Sequence, residues 1–305
     1  MRYTITLALA SLMATPAFAA PPQVVTDLPP VHSLVAMVTG DLASPILLLE
    51  PGADPHDFQL RPSQAAAVAA AGLVVWMGPG MSPWLDRALR GLGDGSVSLD
   101  LLESAGTALR EAGDAHASDD GHAHDHDHAH DHGTHDPHAW LDPANARLWL
   151  STIAGALAAA DPANAETYRA NAANGADTIA ALDARLAARL GPVTNRPFVT
   201  THDALGYFIA HYGLNSLGAI AASDATAPSA ARLRALEEAS AGQPGCIFPE
   251  PNHDPALAVQ LAEATGLRLG GPLDPEGVTL PPGPALYAAL MTGLADTLAD
   301  CLLAR

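Results

Sequence analysis

The chain has 305 residues, and its 33 acidic residues against 14 basic ones give a formal net charge of −19. All 14 basic residues are arginines, which excludes mechanisms that need a phosphate-binding or Schiff-base lysine. The acidic excess also argues against nucleic acid or anionic lipid as a partner. With 49% hydrophobic residues, a chain of this length is expected to fold into two globular domains.

Residues 1–19 have the pattern of a secretory signal peptide. Arg2 gives a positive start, an apolar stretch covers Ile5–Ala14, and the sequence AFA at 17–19 forms a small-x-small cleavage site. The apolar stretch is too short to span a bilayer, and no cysteine follows it to carry a lipid anchor. We therefore expect an exported protein with no direct membrane anchor.

The rest of the chain alternates short apolar runs with helix-like stretches, which predicts an α/β fold. The runs predicted as strands are Gln23–Thr26, Pro45–Leu49, Leu73–Met77, Pro197–Thr200, Ser216–Ile220, Cys246–Phe248 and Leu267–Leu269. Helices are predicted between them, for example at Ser63–Ala71 and Pro228–Ser240.

One long helical stretch separates the early strands from the late ones. Pro162–Leu190 has no internal proline, and apolar residues such as Ile179 and Leu182 recur at helical spacing. A helix of that length would extend roughly 40 Å, enough to bridge two lobes. We predict an N-terminal lobe at 20–160, a linking helix at 161–191 and a C-terminal lobe at 192–305.

The segment 111–136 contains almost no aliphatic residue except alanine, so we expect a mobile loop there. Its histidines are His116, His122, His124, His126, His128, His130, His132 and His135. Imidazole is the commonest metal ligand, and six of these residues alternate with Asp or Ala. The pattern predicts weak auxiliary metal binding without fixed geometry, and a solvated tract without a role is the alternative.

Four residues outside that tract are candidates for an ordered metal site. His56, His202 and Asp274 lie in loops that follow predicted strands, and His138 lies where regular sequence resumes after the loop. Open α/β folds place their ligands at the carboxyl ends of strands. Two candidates come from each lobe, as a site in an interlobe cleft requires. Three imidazoles with one carboxylate or water suit tetrahedral zinc.

The fourth ligand stays open at this point. It could be Asp274, a water molecule or His253, which follows the predicted strand Cys246–Phe248. His32 and His211 are predicted to be packing residues instead.

The two cysteines, Cys246 and Cys301, fit an exported protein. In an oxidising compartment they most simply form a disulfide, which would stabilise the fold by about 4 kcal/mol. Two buried free thiols are the alternative.

Several segments together resemble one known family. They are Gly52–His56, Leu60–Ser63, Leu73–Pro79, Thr201–Phe208, Phe248–Pro251 and Leu273–Pro275. The chain is similar over nearly its whole mature length to the ZnuA type of periplasmic metal-binding receptor, which serves bacterial zinc import.

The resemblance implies two α/β lobes joined by one long rigid helix, with zinc held in the cleft between them. By motif position, His56, His138 and His202 correspond to the family's histidine ligands, and Asp274 to a carboxylate that some members use. The resemblance also implies a periplasmic location. The implied partner is the permease of an ABC-type zinc importer, with a periplasmic zinc chaperone as a second candidate. We expect a monomer that is not an enzyme.

Two other functions are alternatives to a receptor. A periplasmic zinc buffer or chaperone would act through the histidine-rich loop. A zinc hydrolase would need a general base, for which Glu250 is the nearest candidate, although a proline on each side favours a structural turn.

Overall fold

The computed structural model describes residues 20–93, 97–111, 135–221 and 228–304. The predicted signal peptide at 1–19 and the loop histidines from His116 to His132 lie outside these ranges. The described residues form two α/β lobes, each built on a parallel four-stranded sheet. This confirms the predicted fold class.

The first sheet lies in the N-terminal lobe and has the order β2-β1-β3-β4. Its strands are β1 (Val24–Thr26), β2 (Ile46–Leu47), β3 (Leu73–Trp76) and β4 (Ser98–Asp100). The helices beside it are α1 (Pro29–Thr39), α2 (Pro62–Ala70) and α3 (Pro83–Leu92). Each helix begins with a proline, whose fixed φ suits the first helical turn. The central strands β1 and β3 are buried throughout, as expected of valine-rich strands covered on both faces.

Two antiparallel helices connect the lobes. They are α4 (Pro143–Ala160) and the linking helix α5 (Ala165–Leu190), which follows a single 3-10 turn at Pro162–Asn164. The 26 residues of α5 extend about 39 Å at 1.5 Å per residue. Its buried positions include Ile179 and Leu182, as the helical spacing predicted.

The second sheet has the order β6-β5-β7-β8, which is the same pattern as the first. Its strands are β5 (Phe198–His202), β6 (Ser216–Ala221), β7 (Cys246–Ile247) and β8 (Arg268–Leu269). The helices of this half are α6 (Gly206–Tyr212), α7 (Ala230–Ser240), α8 (Ala256–Thr265) and α9 (Leu286–Leu303). The lobe boundaries at 160 and 192 stay a prediction, because α9 packs against α1 of the first lobe.

The largest hydrophobic core passes through both lobes. It joins Val24 of β1 and Leu34 of α1 to Phe198 of β5 and Leu294 of α9. A hydrogen bond also joins α1 to α9, because the hydroxyl of Ser33 accepts from the backbone N–H of Tyr287 at 3.0 Å. Among the described residues α9 alone is long and apolar enough to cross a membrane. With 56% of it buried against α1 and α5, it has the packing of a core helix.

The predicted disulfide is confirmed. Cys246 of β7 and Cys301 of α9 are bonded at 2.04 Å. The bond closes a loop of 55 residues and ties the second sheet to the helix that contacts both lobes.

Candidate metal centre

His202 is the last residue of β5, at the carboxyl edge of the second sheet. Glu250, which follows the neighbouring strand β7, holds it in place through both carboxylate oxygens. Oε2 lies 2.6 Å from His202 Nδ1, and Oε1 accepts from the His202 backbone N–H at 3.1 Å. Both side chains are almost fully buried. A carboxylate on one ring nitrogen fixes the ring so that the other nitrogen can bind a ligand.

His138 has the same arrangement on the other side of the cleft. It precedes the short 3-10 turn Ala139–Leu141 that leads into α4. Asp136 Oδ1 lies 2.8 Å from His138 Nδ1 and also accepts from the His138 backbone N–H at 3.0 Å. His138 Nε2 is buried and has no hydrogen-bond partner among the described residues. The ring is therefore oriented by a carboxylate, with its second nitrogen available.

His56 comes from the loop between β2 and α2 and is half-buried. Its backbone N–H donates to Asp54 Oδ1 at 2.8 Å. The preceding residue, Pro55, accepts from the indole of Trp84 in α3 at 2.7 Å. These two hydrogen bonds fix the loop that carries the histidine.

The three histidines converge on one buried carboxylate, Glu276. The ring of His138 lies 5.6 Å from that of His56 and 5.5 Å from that of His202, between centroids. His56, His138 and Glu276 each offer a ligand atom within 4.8 Å of the others, and His202 Nε2 lies 3.8 Å from Glu276 Oε1. Glu276 is 0% exposed. Burying a carboxylate among imidazoles is costly unless a cation compensates it, and this set of donors suits a tetrahedral zinc ion.

The structure does not bring Asp274 into this cluster. Its carboxylate accepts from the backbone of Val278 at 3.0 Å and from the backbone and hydroxyl of Thr279. A short acidic side chain before a proline commonly closes a turn in this way. Glu276, two residues on, is directed inward instead, next to Gly277 with φ +70°. The sequence pattern Asp-Pro-x-Gly at 274–277 indicates a turn, and it could have shown that Asp274 stabilises this turn instead of binding metal.

His253, the alternative fourth ligand, lies beside the cluster rather than inside it. His202, Glu250 and His253 form a second group whose ligand atoms lie within 4.8 Å of one another. His253 Nε2 is 3.8 Å from Glu250 Oε2. Glu250, the candidate base of the hydrolase alternative, has both oxygens engaged with His202. Sequence reasoning missed its orienting role, and that of Asp136.

The histidines predicted to be packing residues do not join the cluster. His32 pairs through Nε2 with the carbonyl of Pro45 at 3.2 Å, and burial lowers its pKa. His211 lies between Asp142 at 3.1 Å and Asp183 at 2.9 Å. The hydrogen bond with Asp142, supported by Asp183, raises the pKa of His211 to about 9.

One loop histidine, His135, falls within the described residues. It is exposed and forms an antiparallel bridge with Glu111. Asp136 also donates its backbone N–H to the carbonyl of Arg110 at 2.9 Å. Residues 111 and 135 therefore lie side by side, close to the carboxylate that orients His138.

Two parallel-sheet lobes with a histidine–carboxylate cluster between them define a metal-binding solute receptor. Residues 24–301 match the family described as zinc-uptake complex component A, periplasmic, or ZnuA. The chain is 49% identical over 317 residues to the high-affinity zinc uptake system protein ZnuA of Paracoccus denitrificans, covering 97% of each chain. The chain belongs to the ZnuA family and is a periplasmic zinc-uptake solute-binding protein. That function is transport, not catalysis.

Solved structures have the same fold. A manganese-bound periplasmic metal-binding protein from Candidatus Liberibacter asiaticus has a TM-score of 0.76 and 24% identity, covering 92% of this chain and 99% of that one. A deletion mutant of a ZnuA with zinc bound has a TM-score of 0.75 and 24% identity, covering 93% and 98%. The fold thus holds different divalent metals in different proteins.

Proposed function

We propose that the chain captures Zn²⁺ with His56, His138, His202 and Glu276 and delivers it to the permease of an ABC-type importer. The observation that carries this proposal is the convergence of three imidazoles on a carboxylate that is 0% exposed. His138 and His202 are each oriented by a second carboxylate, which is the arrangement that tunes histidine ligands in metal sites.

The donor set favours zinc over manganese. Imidazole nitrogens suit zinc, whereas manganese prefers sites dominated by carboxylate and other oxygen donors. Three nitrogens and one carboxylate also match the four-coordinate geometry that zinc adopts. The 49% identical relative named for zinc uptake supports the same choice.

The histidine-rich loop has an auxiliary role in this proposal. Its residues from His116 to His132 lie outside the described part of the chain, but residues 111 and 135 on either side are paired. Weak binding on many imidazoles would raise the local zinc concentration near His138, which lies six residues after His132. A periplasmic zinc chaperone is a second candidate donor of the ion.

A competitive zinc titration against a chelator tests the proposal. The protein would be the mature chain without residues 114–132, a deletion that removes His116 to His132, leaves four residues to connect the paired Glu111 and His135, and keeps Asp136. One tight site should survive the deletion. If tight binding disappears, the loop itself is the binding module, and the zinc-buffer function replaces capture for an importer.

A further inference from the structure

Beyond the buried cluster, a second set of ligating side chains surrounds one oxygen. Glu250 Oε2 lies 2.6 Å from His202 Nδ1 and 3.8 Å from His253 Nε2. The rings of His202 and His253 are 5.9 Å apart between centroids. One carboxylate therefore lies between two imidazoles, of which only His202 belongs to the buried cluster.

Exposure increases from the buried cluster towards His253. The side chain of His202 is 1% exposed and that of Glu250 3%, whereas that of His253 is 23% exposed. His253 lies in the turn after β7, where its backbone N–H donates to the carbonyl of Glu250 at 3.4 Å. The group connects solvent to the wall of the buried site.

The turn also contacts the carboxylate of the buried site. Asn252 donates from Nδ2 to Glu276 Oε2 at 3.5 Å. Its Oδ1 is buried without a hydrogen-bond partner among the residues that the structure describes, so it is a further oxygen donor. Two carboxylates, Glu250 and Glu276, supply the negative charge that a second divalent cation near the first would need.

We propose that Glu250 and His253 form a second, weaker zinc site through which ions exchange with the buried one. The inference rests on the proposed function, because it takes His202 as a ligand of the buried ion. The site uses one imidazole nitrogen and one carboxylate oxygen, and water completes the coordination that zinc accepts in open sites.

The shared oxygen couples the two sites. When Glu250 Oε2 binds a cation at the second site, it no longer accepts fully from His202 Nδ1. The imidazole then becomes a weaker ligand, because a hydrogen-bonded carboxylate raises the basicity of a metal-binding histidine. By linkage, each ion weakens the binding of the other. An arriving ion thus speeds the departure of the bound one.

Isotope exchange in the full mature chain tests this coupling. The protein is loaded with one equivalent of zinc-67 and mixed either with excess natural zinc or with chelator alone. The readout is the rate of zinc-67 loss in zinc divided by the rate in chelator. This ratio should be about ten in the wild type, the scale of second-shell effects, and should fall to about one in His253→Ala.

His211→Ala is the matched control. That side chain is 25% exposed and also lies between two carboxylates, but outside this group. It should keep the wild-type ratio, and the loop is unchanged in all three proteins, so its contribution cancels. Equal ratios in the wild type and His253→Ala, or an equal fall in both variants, overturn the inference. A wild-type chain that retains no zinc-67 after loading overturns the proposed function as well.

Discussion

The two lobes share one sheet topology but use the same position in it differently. The central strands β1 and β5 each end in a buried polar residue, Asp27 just after β1 and His202 at the end of β5. Asp27 accepts from the backbones of Leu28 and Met77 and from the hydroxyl of Ser82, at 2.8–2.9 Å. His202 gives one nitrogen to Glu250 and directs the other at the cluster.

The difference shows what makes a strand end a binding site. In the first lobe, local donors surround the carboxylate of Asp27, so the position stabilises the turn and leaves nothing for a ligand. In the second lobe, an imidazole has two separate nitrogens, and its neighbour Glu250 occupies only one. The ligands that we propose for the first lobe, His56 and His138, come from loops instead.

The largest effect should come from removing His202, the proposed zinc ligand at the end of β5. Four ligands share roughly 10–16 kcal/mol in a typical zinc site, so His202→Ala should weaken zinc binding by roughly 100- to 1000-fold. Asp27→Asn, at the equivalent position, should leave the affinity within about twofold, because it lies outside the cluster. Chelator competition measures both, and similar losses would contradict the contrast between the lobes.

The carboxylate at the end of β1 should instead affect stability. Burial raises the pKa of Asp27 from 3.8 to about 6, against the opposing effect of its hydrogen bonds. The native state therefore binds this proton more tightly than the unfolded chain does. The resulting stabilisation, about 3 kcal/mol, is complete below the unfolded pKa and is lost as the pH rises through 6.

Urea unfolding of the metal-free protein at about pH 7 and about pH 4 measures this term. In Asp27→Asn the difference between the two conditions should shift by most of that amount relative to the wild type, because pH 4 lies just above the unfolded pKa of 3.8. An identical pH dependence in both proteins would show that Asp27 is not the group that titrates.

Two acidic residues in one turn should differ in their effect on zinc. Glu276→Gln removes the buried charge and should weaken zinc binding roughly 30- to 100-fold, since a neutral amide is a poor substitute for a carboxylate ligand. Asp274→Asn should leave the affinity nearly unchanged, because Asp274 accepts from Val278 and Thr279. Chelator competition measures the zinc affinity of both variants. A larger loss of affinity in Asp274→Asn than in Glu276→Gln would favour Asp274 as the fourth ligand.

The two orienting carboxylates, one beside each lobe's histidine, should have matching but smaller effects. Glu250→Gln and Asp136→Asn each keep an acceptor for the imidazole but lose its charge, so we expect about a tenfold loss of zinc affinity in either variant. Glu111→Gln, at the base of the loop, is the control and should change little. An effect at only one of the two positions would show that the ligands are supported unequally.

The smallest effect should come from a contact that crosses between the lobes. His211 of α6 lies between Asp142, which caps α4, and Asp183 of α5, and its pKa is about 9. The raised pKa means that this contact stabilises the fold fully below 6.5 and is lost as the pH rises through 9.

His211→Gln should therefore cost about 1 kcal/mol near neutral pH, a value reduced by solvent because the side chain is partly exposed. The difference from the wild type should vanish at about pH 10. Arg147 and Tyr212 face the same pocket and stay unchanged in both proteins. Thermal unfolding at the two pH values measures the effect, and a difference that persists at high pH would argue against His211.

Much of the fold could be predicted because the central strands are apolar runs with turn residues on either side. All seven predicted strands are present, and each end lies within two residues of its predicted position. The missed strand, β4 at Ser98–Asp100, is short, partly exposed and rich in polar residues. It forms because β3 offers an edge for pairing, which is a tertiary contact that no local pattern records.

The candidate site could be predicted where a histidine follows a predicted strand. It could not be predicted where the conformation of a turn selects which carboxylate faces the cluster. Three histidines could be proposed from their positions and from the family resemblance. Choosing Glu276 over Asp274 depends on Gly277 at positive φ and on Trp140, whose indole donates to the carbonyl of Pro275 at 2.9 Å. Glu250 reaches His202 across 48 residues of sequence, a separation with no local signature.

The hydrophobic core that runs through both lobes limits how much the shape of the receptor can change when zinc binds. Opening even ~400 Å² of that apolar interface to water would cost about 10 kcal/mol, so the outline of the molecule should stay nearly constant with and without cargo. If the proposed delivery to an importer holds, an importer that meets a constant outline will dock empty receptors almost as readily as full ones. Overproducing the receptor when zinc is scarce should then slow uptake, because empty copies occupy the docking sites.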